Sequence, residues 1–204
     1  LASTGLIKTD LRKLKQETTL LNKRFALWPR LRPREWMPYP LGTVEVSSNL
    51  AQHDTNHRSG RINIYSDLYV AAVWNTYRKA RQKLMNIIVA CSERSVTSGN
   101  SAQNRDEVNI IVDDMFASVP FHLIADLPSQ LQIGSLLESL GAPGKSLGGL
   151  LMMYPWYVVS SWTFLSPEQR IWMSERLRWI GSRMGIQQAT RLSNVCYLVV
   201  RVHC

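Results

Sequence analysis

The chain has 204 residues, of which 45% are hydrophobic, 9% aromatic and 19% charged. This is the length of one ordinary domain with enough apolar side chains for a core, so the composition excludes a disordered chain, a collagen and a coiled coil. Three cysteines cannot form a disulfide framework or supply the four thiolates of a structural zinc site. The net charge of +9 lies entirely in residues 1–102, and residues 103–204 are neutral overall.

A basic half is typical of proteins that attract nucleic acid or anionic membrane surfaces. Here the basic residues do not form one dense run, and this favours a solvated surface over DNA binding. The first 15 residues contain no apolar signal segment. We therefore expect an intracellular protein of the cytoplasm or the nucleus.

The first 119 residues contain three segments in which apolar residues recur at spacings of three, four and seven. The pattern predicts amphipathic helices over residues 6–28, 66–91 and 105–119. Ser66 is the candidate N-cap of the second helix, and Pro120 is expected to end or kink the third. Residues 29–66 are rich in proline and polar residues, which predicts an irregular connector that wraps the surface or covers a pocket.

Residues 146–167 carry no charge, which raises the question of a membrane span because about 20 apolar residues suffice to cross a bilayer. Paired glycines, paired serines and a central Pro155 favour instead a helix buried at the centre of a bundle. We therefore expect no membrane span.

The C-terminal part begins with the pattern of a capped helix. Ser166, Pro167 and Gln169 predict a capping box with proline at the first helical position, and Gly185 is expected to end that helix. A short helix is expected next, and the apolar tail over residues 195–204 is expected to be a strand or an extended segment. The predicted fold class is all-α: one domain over residues 1–204, a bundle of about six helices around the central apolar helix.

No complete motif for nucleotide, metal or nucleophilic chemistry is present in the sequence. The Gly-Lys-Ser at residues 144–146 lacks the first glycine of a phosphate-binding loop, because Ser139 occupies that position. His53 and His57 have a spacing that suits a metal only on a helix, and the residues around them are typical of a loop. No metal and no cofactor are therefore expected.

The third predicted helix carries two positions of interest. The adjacent Asp113 and Asp114 diverge by about 100° on a helix, so they cannot act as a carboxylate pair. Asp113 is the one expected to point inward and accept a hydrogen bond from an arginine of another helix. His122 fits a buried, hydrogen-bonded histidine, with an acid–base group as the alternative.

Aromatic and methionine side chains are concentrated on the uncharged segment and on the helices expected to face it. Core packing is one explanation, and the other is an apolar pocket in which tyrosine hydroxyls and tryptophan N–H groups orient a hydrophobic ligand. The candidate ligand-binding residues are Trp74, Tyr77, Met153, Tyr154, Trp156, Tyr157, Trp162 and Trp172.

Several segments share one family pattern, namely residues 61–78 (RINIYSDLYVAAVWNTYR), residues 112–122 (VDDMFASVPFH) and parts of residues 154–186. Trp36 fits the same pattern. As a set they resemble the C-terminal regulatory region of fungal binuclear zinc-cluster transcription factors, over roughly residues 10–192. The family's DNA-binding module needs more cysteines, at tight spacing, and those present here are scattered, so we expect that module to be missing. The resemblance implies a helical, effector-sensing region rather than a DNA reader.

Two functions follow as hypotheses. The first is a fungal regulatory domain, free-standing or part of a longer factor, that binds a small apolar metabolite and responds by a shift of helix packing. A protein partner, including a second copy in a homodimer, is left open. The second is a cofactor-free enzyme of secondary metabolism, a cyclase of the pericyclic (Diels–Alderase) type that holds a terpenoid or polyketide in a reactive shape. Its candidate catalytic residues are Tyr77, His122, Tyr154 and Tyr157.

Overall fold

The structure is a computed structural model that describes residues 2–44, 60–94, 101–124, 127, 146–162 and 165–202. Within these residues the chain forms six α-helices and one small antiparallel sheet, which confirms the predicted all-α class. In chain order the elements are α1 (Ala2–Leu27), β1 (Tyr39–Val44), β2 (Gly60–Ile64), α2 (Leu68–Glu93), α3 (Ser101–Leu123), α4 (Ser146–Ser160), α5 (Pro167–Arg183) and α6 (Gln187–Val202).

The segment between α1 and α2, expected to be irregular, contains regular structure. Two short 3₁₀ helices, Trp28–Leu31 and Arg34–Trp36, follow α1. The strands β1 and β2 then pair as antiparallel partners, with Tyr39 opposite Ile64. Sequence periodicity missed this hairpin because each strand has only five or six residues and pairs with a segment that is distant in the sequence.

The N-termini of α2 and α5 show how local side chains begin a helix. The cap of α2 is Asp67 rather than the predicted Ser66, and its Oδ1 accepts a hydrogen bond of 2.7 Å from the N–H of Val70. The capping box predicted for α5 is present. Ser166 Oγ accepts from the N–H of Gln169 at 3.2 Å, and Gln169 Oε1 accepts from the N–H of Ser166 at 3.0 Å.

The C-terminal segment is helical. Gly185, with φ of 73°, lies in the left-handed region just after α5, where the sequence predicted the end of that helix. The expected strand or extended tail is wrong for residues 195–202, which belong to α6, whereas residues 203–204 lie outside the described part of the chain. Buried Ala189 and Cys196 are seven residues apart, a helical repeat that places both on the face of α6 turned toward the main core.

The main hydrophobic core lies between α2, α3, α4, α5 and α6. From α4 it receives Met152, Trp156 and Val159, which are all fully buried. The opposite side of α4 is open to solvent, since Leu150 is 50% and Tyr154 52% exposed. The central apolar helix is therefore buried on one face, not on all sides as the sequence predicted. No helix in the described ranges combines the length and the apolar content that crossing a bilayer requires.

The crossing of α3 and α4 depends on a glycine. Pro120, expected to end or kink the third helix, lies inside α3, which continues to Leu123. Gly148 of α4 faces the backbone of His122: a Cβ at position 148 would overlap the His122 carbonyl oxygen and lie 2.8 Å from the carbonyl carbon. Only a residue without a side chain permits so close an approach of two backbones.

Candidate functional site

Four of the predicted ligand-binding residues lie in two aromatic clusters: Trp74 and Tyr77 in one, Trp156 and Trp172 in the other. Four rings meet at the junction of α1 and α2, and we call them the α2 aromatic cluster: Phe25, Trp28, Trp74 and Tyr77. Three rings, one each from α3, α4 and α5, form what we call the tryptophan cluster: Phe116, Trp156 and Trp172.

The α2 aromatic cluster fastens the N-terminal segment to α2. Trp28 stacks on Tyr77 with 4.8 Å between ring centroids and meets Trp74 edge-on at 5.2 Å. Trp74 Nε1 donates a hydrogen bond of 2.6 Å to the carbonyl oxygen of Trp36. Burial raises the pKa of the Tyr77 phenol above its ordinary value, an effect that the charge of Arg81 partly offsets. Tyr77 therefore remains a neutral phenol at physiological pH.

In the tryptophan cluster each ring touches the other two. The Phe116 centroid lies 5.4 Å from Trp156 and 5.1 Å from Trp172, both edge-on, and the two indoles are tilted at 5.6 Å. Edge-on and tilted arrangements are those that aromatic quadrupoles favour. Because each ring belongs to a different helix, a shift of any of these helices alters the contacts of the cluster.

The two indole N–H groups of this cluster differ in their hydrogen bonding. Trp156 Nε1 donates to the carbonyl oxygen of Met173 at 3.2 Å. Trp172 Nε1 is buried and has no hydrogen-bond partner among the described residues, although its side chain as a whole is half-buried. A buried donor without an acceptor costs about 1–3 kcal/mol. An acceptor on a bound molecule would remove that cost.

A buried cation lies next to this donor. The guanidinium of Arg176 is 5.3 Å from the ring centroid of Trp172 and 5.6 Å from that of Trp179, and Arg176 is 2% exposed. Cation–π attraction contributes about 0.5–2 kcal/mol in such settings. Arg176 therefore helps to hold the rings of Trp172 and Trp179 in place.

The other candidate residues on and near α4 lie in different surroundings. Met153 and Tyr157 are half-buried and pack against the core that contains the tryptophan cluster. Trp162 is buried within that core. Tyr154 is on the exposed side of α4, where Lys79 Nζ is 4.8 Å from its ring centroid. Of these residues, Met153 and Tyr157 are the ones that could add half-buried apolar surface to a ligand site.

His122 belongs to a buried polar network between α2 and α3. Its Nε2 lies 3.1 Å from Asn75 Nδ2, and the same amide nitrogen donates to Ser118 Oγ at 3.0 Å. All three side chains are completely buried. His122 is thus the buried, hydrogen-bonded histidine that its sequence position favoured.

Arg78 continues this network along α2. Its Nη1 donates to the hydroxyl of Tyr65 at 2.8 Å and to Asn75 Oδ1 at 3.0 Å. Its Nε is buried without a partner among the described residues, and so are both amide atoms of Gln82, one turn further along. Burial of these two residues was not predicted, because Arg and Gln are typical of exposed helix positions. The one signal in the sequence was the spacing of four residues from Trp74 to Arg78 and from Arg78 to Gln82, which places all three on one face of the helix.

The charge of Arg78 is balanced by α3. Its Nη2 lies 3.8 Å from Asp114 Oδ2, and Asp114 also accepts from Arg61 of β2. The inward-pointing position was expected for Asp113, which is exposed in the structure. The assignment was wrong by one residue, and one residue rotates a helical side chain by about 100°.

The described residues offer no group of three or more His, Cys, Asp and Glu side chains placed to hold a metal. His53 and His57, and residues 141–145 before Ser146, lie outside the described residues. The Cys196 sulfur is 2.7 Å from Ser160 Oγ, and burial raises the pKa of its thiol. Cys196 is therefore a neutral thiol at physiological pH and a poor nucleophile.

Among curated proteins, "Transcription factor dbaG" from Emericella nidulans is 34% identical to this chain over 184 residues. The match covers 90% of this chain and 44% of that relative, so the chain spans less than half the length of the curated relative it matches. No family model matches the sequence, and no solved structure matches it. The chain is therefore similar to part of a fungal protein that is named as a transcription factor.

Proposed function

Because the chain resembles a fungal transcription factor over most of its own length, we propose that it is a helical regulatory region that binds a small apolar metabolite at the tryptophan cluster. The metabolite carries a hydrogen-bond acceptor, such as a carbonyl oxygen. The observation that supports this proposal is the buried N–H of Trp172, which has no acceptor among the described residues and adjoins two further rings.

The regulatory step is a change in helix packing. A ligand that accepts from Trp172 favours whichever arrangement of α3, α4 and α5 gives it the most contact, and it shifts the population toward that arrangement. α3 also carries Ser118 and His122, which are hydrogen-bonded to Asn75 of α2. A displacement of α3 therefore reaches α2. Regulation of transcription by this route takes place in the nucleus.

The cyclase hypothesis gains no comparable support. Its four candidate residues have different surroundings. Tyr77 stacks in the α2 aromatic cluster, and His122 is hydrogen-bonded to Asn75. Tyr154 is exposed, whereas Tyr157 is half-buried. Binding is therefore the one function proposed here.

The test uses the indole signals of the seven tryptophans in an NMR spectrum of isotope-labelled protein. Acetylnaphthalene serves as the probe, and isopropenylnaphthalene has nearly the same shape but no acceptor. The ketone is expected to move the Trp172 N–H signal downfield and to bind about 5-fold more tightly than the hydrocarbon, since one hydrogen bond contributes about 1 kcal/mol.

The Trp172→Phe variant lacks the Trp172 N–H signal and so identifies it in the wild-type spectrum. This variant is expected to bind both compounds with equal affinity. Trp28→Phe, in the α2 aromatic cluster, is the matched control and should keep the preference for the ketone. If wild-type protein bound both compounds equally, or if Trp172→Phe kept the preference, the proposal would be wrong.

A further inference from the structure

The outer side of α1 and the 3₁₀ helix that follows it expose three large leucines. Leu20 is 54%, Leu27 52% and Leu31 71% exposed. At about 100° per residue, Leu20 and Leu27 point within about 20° of each other, and Leu20 lies about 160° from the buried Thr18 and Asn22. Leu20 and Leu27 are therefore on the side of α1 opposite α2, and the exposed Leu31 follows them along the chain. We call the surface formed by these three leucines and the neighbouring Lys23, Arg24 and Arg30 the leucine face.

Exposed leucines in a row are unfavourable in water. Full burial of one leucine contributes about 1.5–3 kcal/mol, and contiguous apolar patches of this kind mark interaction sites. The stripe from Leu20 to Leu31 is about 16 Å long, which matches three turns of a helix laid along it.

Cations flank the leucines. On the helix Lys23 lies about 60° to one side of Leu20 and Arg24 about 40° to the other, and Arg30 adjoins Leu31. None of these three cations has an ion-pair partner among the described residues. Glu17 is the single acidic residue between positions 13 and 31, and its ion pair is with Lys13 at 4.0 Å. The leucine face therefore combines apolar surface with positive charge that no carboxylate among the described residues neutralises.

We propose that the leucine face is the docking site of an acidic amphipathic helix from a partner protein. The leucines of such a helix cover the apolar stripe, and its carboxylates pair with Lys23, Arg24 and Arg30. A second copy of this chain is a poor occupant, because its own leucine face carries the same positive charge. A nucleic acid would use the cations but leave the leucines in water. This proposal does not depend on ligand binding at the tryptophan cluster.

The test measures fluorescence anisotropy with two synthetic peptides of roughly 15 residues, the length of four helical turns. Both have leucines along one helix face, and the other positions are glutamates in one peptide and lysines in the other. The acidic peptide is expected to bind, and more weakly at high salt, whereas the basic peptide is not. The double variants Leu20→Gln/Leu27→Gln and Lys23→Glu/Arg24→Glu should each weaken binding of the acidic peptide at least about 10-fold.

Leu147→Gln/Leu150→Gln is the matched control, because these leucines of α4 are exposed to a similar degree. It should leave the affinity unchanged, and circular dichroism should show every variant folded. The proposal is overturned if the acidic peptide does not bind, or if Leu20→Gln/Leu27→Gln binds it as tightly as wild type. It is also overturned if duplex DNA binds the cations in preference to the peptide and the leucine variant leaves that binding intact.

Discussion

At the scale of single residues, the buried polar face of α2 shows how unevenly hydrogen bonding is satisfied. Asn75, Arg78 and Gln82 follow one another at spacings of three and four, so they share a helix face. Asn75 bonds to α3, and Arg78 bonds to Tyr65 and approaches Asp114. Gln82 is 1% exposed and has no partner for either amide atom among the described residues. Its burial therefore opposes folding.

Gln82→Met is expected to raise the free energy of unfolding by about 1 kcal/mol, because methionine fills a similar volume and has no amide to desolvate. Urea unfolding followed by circular dichroism measures the change. Gln16→Met on the exposed side of α1 is the control, with an expected change below about 0.5 kcal/mol. A loss of stability in Gln82→Met would show instead that the amide is hydrogen-bonded in solution.

Cys196 makes stability depend on alkaline pH. Burial raises the pKa of this thiol above its ordinary value of 9.0, so the folded state holds the proton more tightly than the unfolded state. The resulting stabilisation is complete below pH 9.0 and is lost as pH rises through the folded-state pKa.

The free energy of unfolding of the wild type is therefore expected to fall as pH rises above 9.0. The free energy of unfolding of Cys196→Ala should fall less steeply over the same range. Urea melts at several pH values measure both slopes. The Tyr77 phenol, whose pKa burial also raises, contributes to the remaining slope in both proteins. Identical slopes for wild type and Cys196→Ala would contradict the role given to the thiol.

At the scale of the elements, close helix crossings depend on glycines. Gly148 allows α4 to meet the backbone of α3 at His122, and Gly181 allows α5 to meet α6, where an added Cβ would lie 2.8 Å from the Thr190 nitrogen. Because neighbouring backbone atoms cannot move independently of their helices, any side chain at these positions displaces a whole element.

Gly148→Ala is expected to lower the free energy of unfolding by about 1–3 kcal/mol, despite the better helix propensity of alanine, because its methyl group would overlap the His122 carbonyl. Thermal and urea unfolding measure the loss. Gly42→Ala in β1 is the matched control, since nothing lies within 4 Å of a Cβ added there. A Gly148→Ala protein as stable as wild type would contradict the close crossing.

At the scale of the whole molecule, α5 contacts two other helices of the main core. It packs against α4 and along α6, and its Met173, Leu177 and Ile180 are fully buried. α2 and α3 contribute residues to the main core and also carry the polar network, and α2 carries two of the four rings of the α2 aromatic cluster. The helical bundle is therefore expected to unfold as one cooperative unit.

Leu177→Ala is expected to destabilise the protein by about 2–5 kcal/mol, because it removes a fully buried side chain from the centre of this core. Tryptophan fluorescence and far-ultraviolet circular dichroism should report one coincident transition in both proteins. Ile171→Ala, at a position that is 42% exposed on the same helix, should cost much less. Two separate transitions would mean that the aromatic clusters fold independently.

Features that depend on neighbours within about one helical turn were predictable from the amino-acid sequence. Apolar periodicity predicted the helical class and the approximate positions of the helices, and the Ser166–Gln169 pair predicted the capping box that begins α5. Composition alone indicated that tryptophan rings would contact other aromatic rings, because burial of apolar surface brings so many large rings of a short chain together.

Which side chains contact one another is a property of the folded chain as a whole. The fold pairs β1 with β2, turns Asp114 rather than Asp113 toward Arg78, and stacks Trp28 on Tyr77. It also places Trp172 in the tryptophan cluster, where its N–H has no acceptor among the described residues. These outcomes depend on the joint burial of segments far apart in the chain. Their free energy arises from contacts that no local stretch of sequence contains, whereas helix periodicity and capping are complete within a single turn.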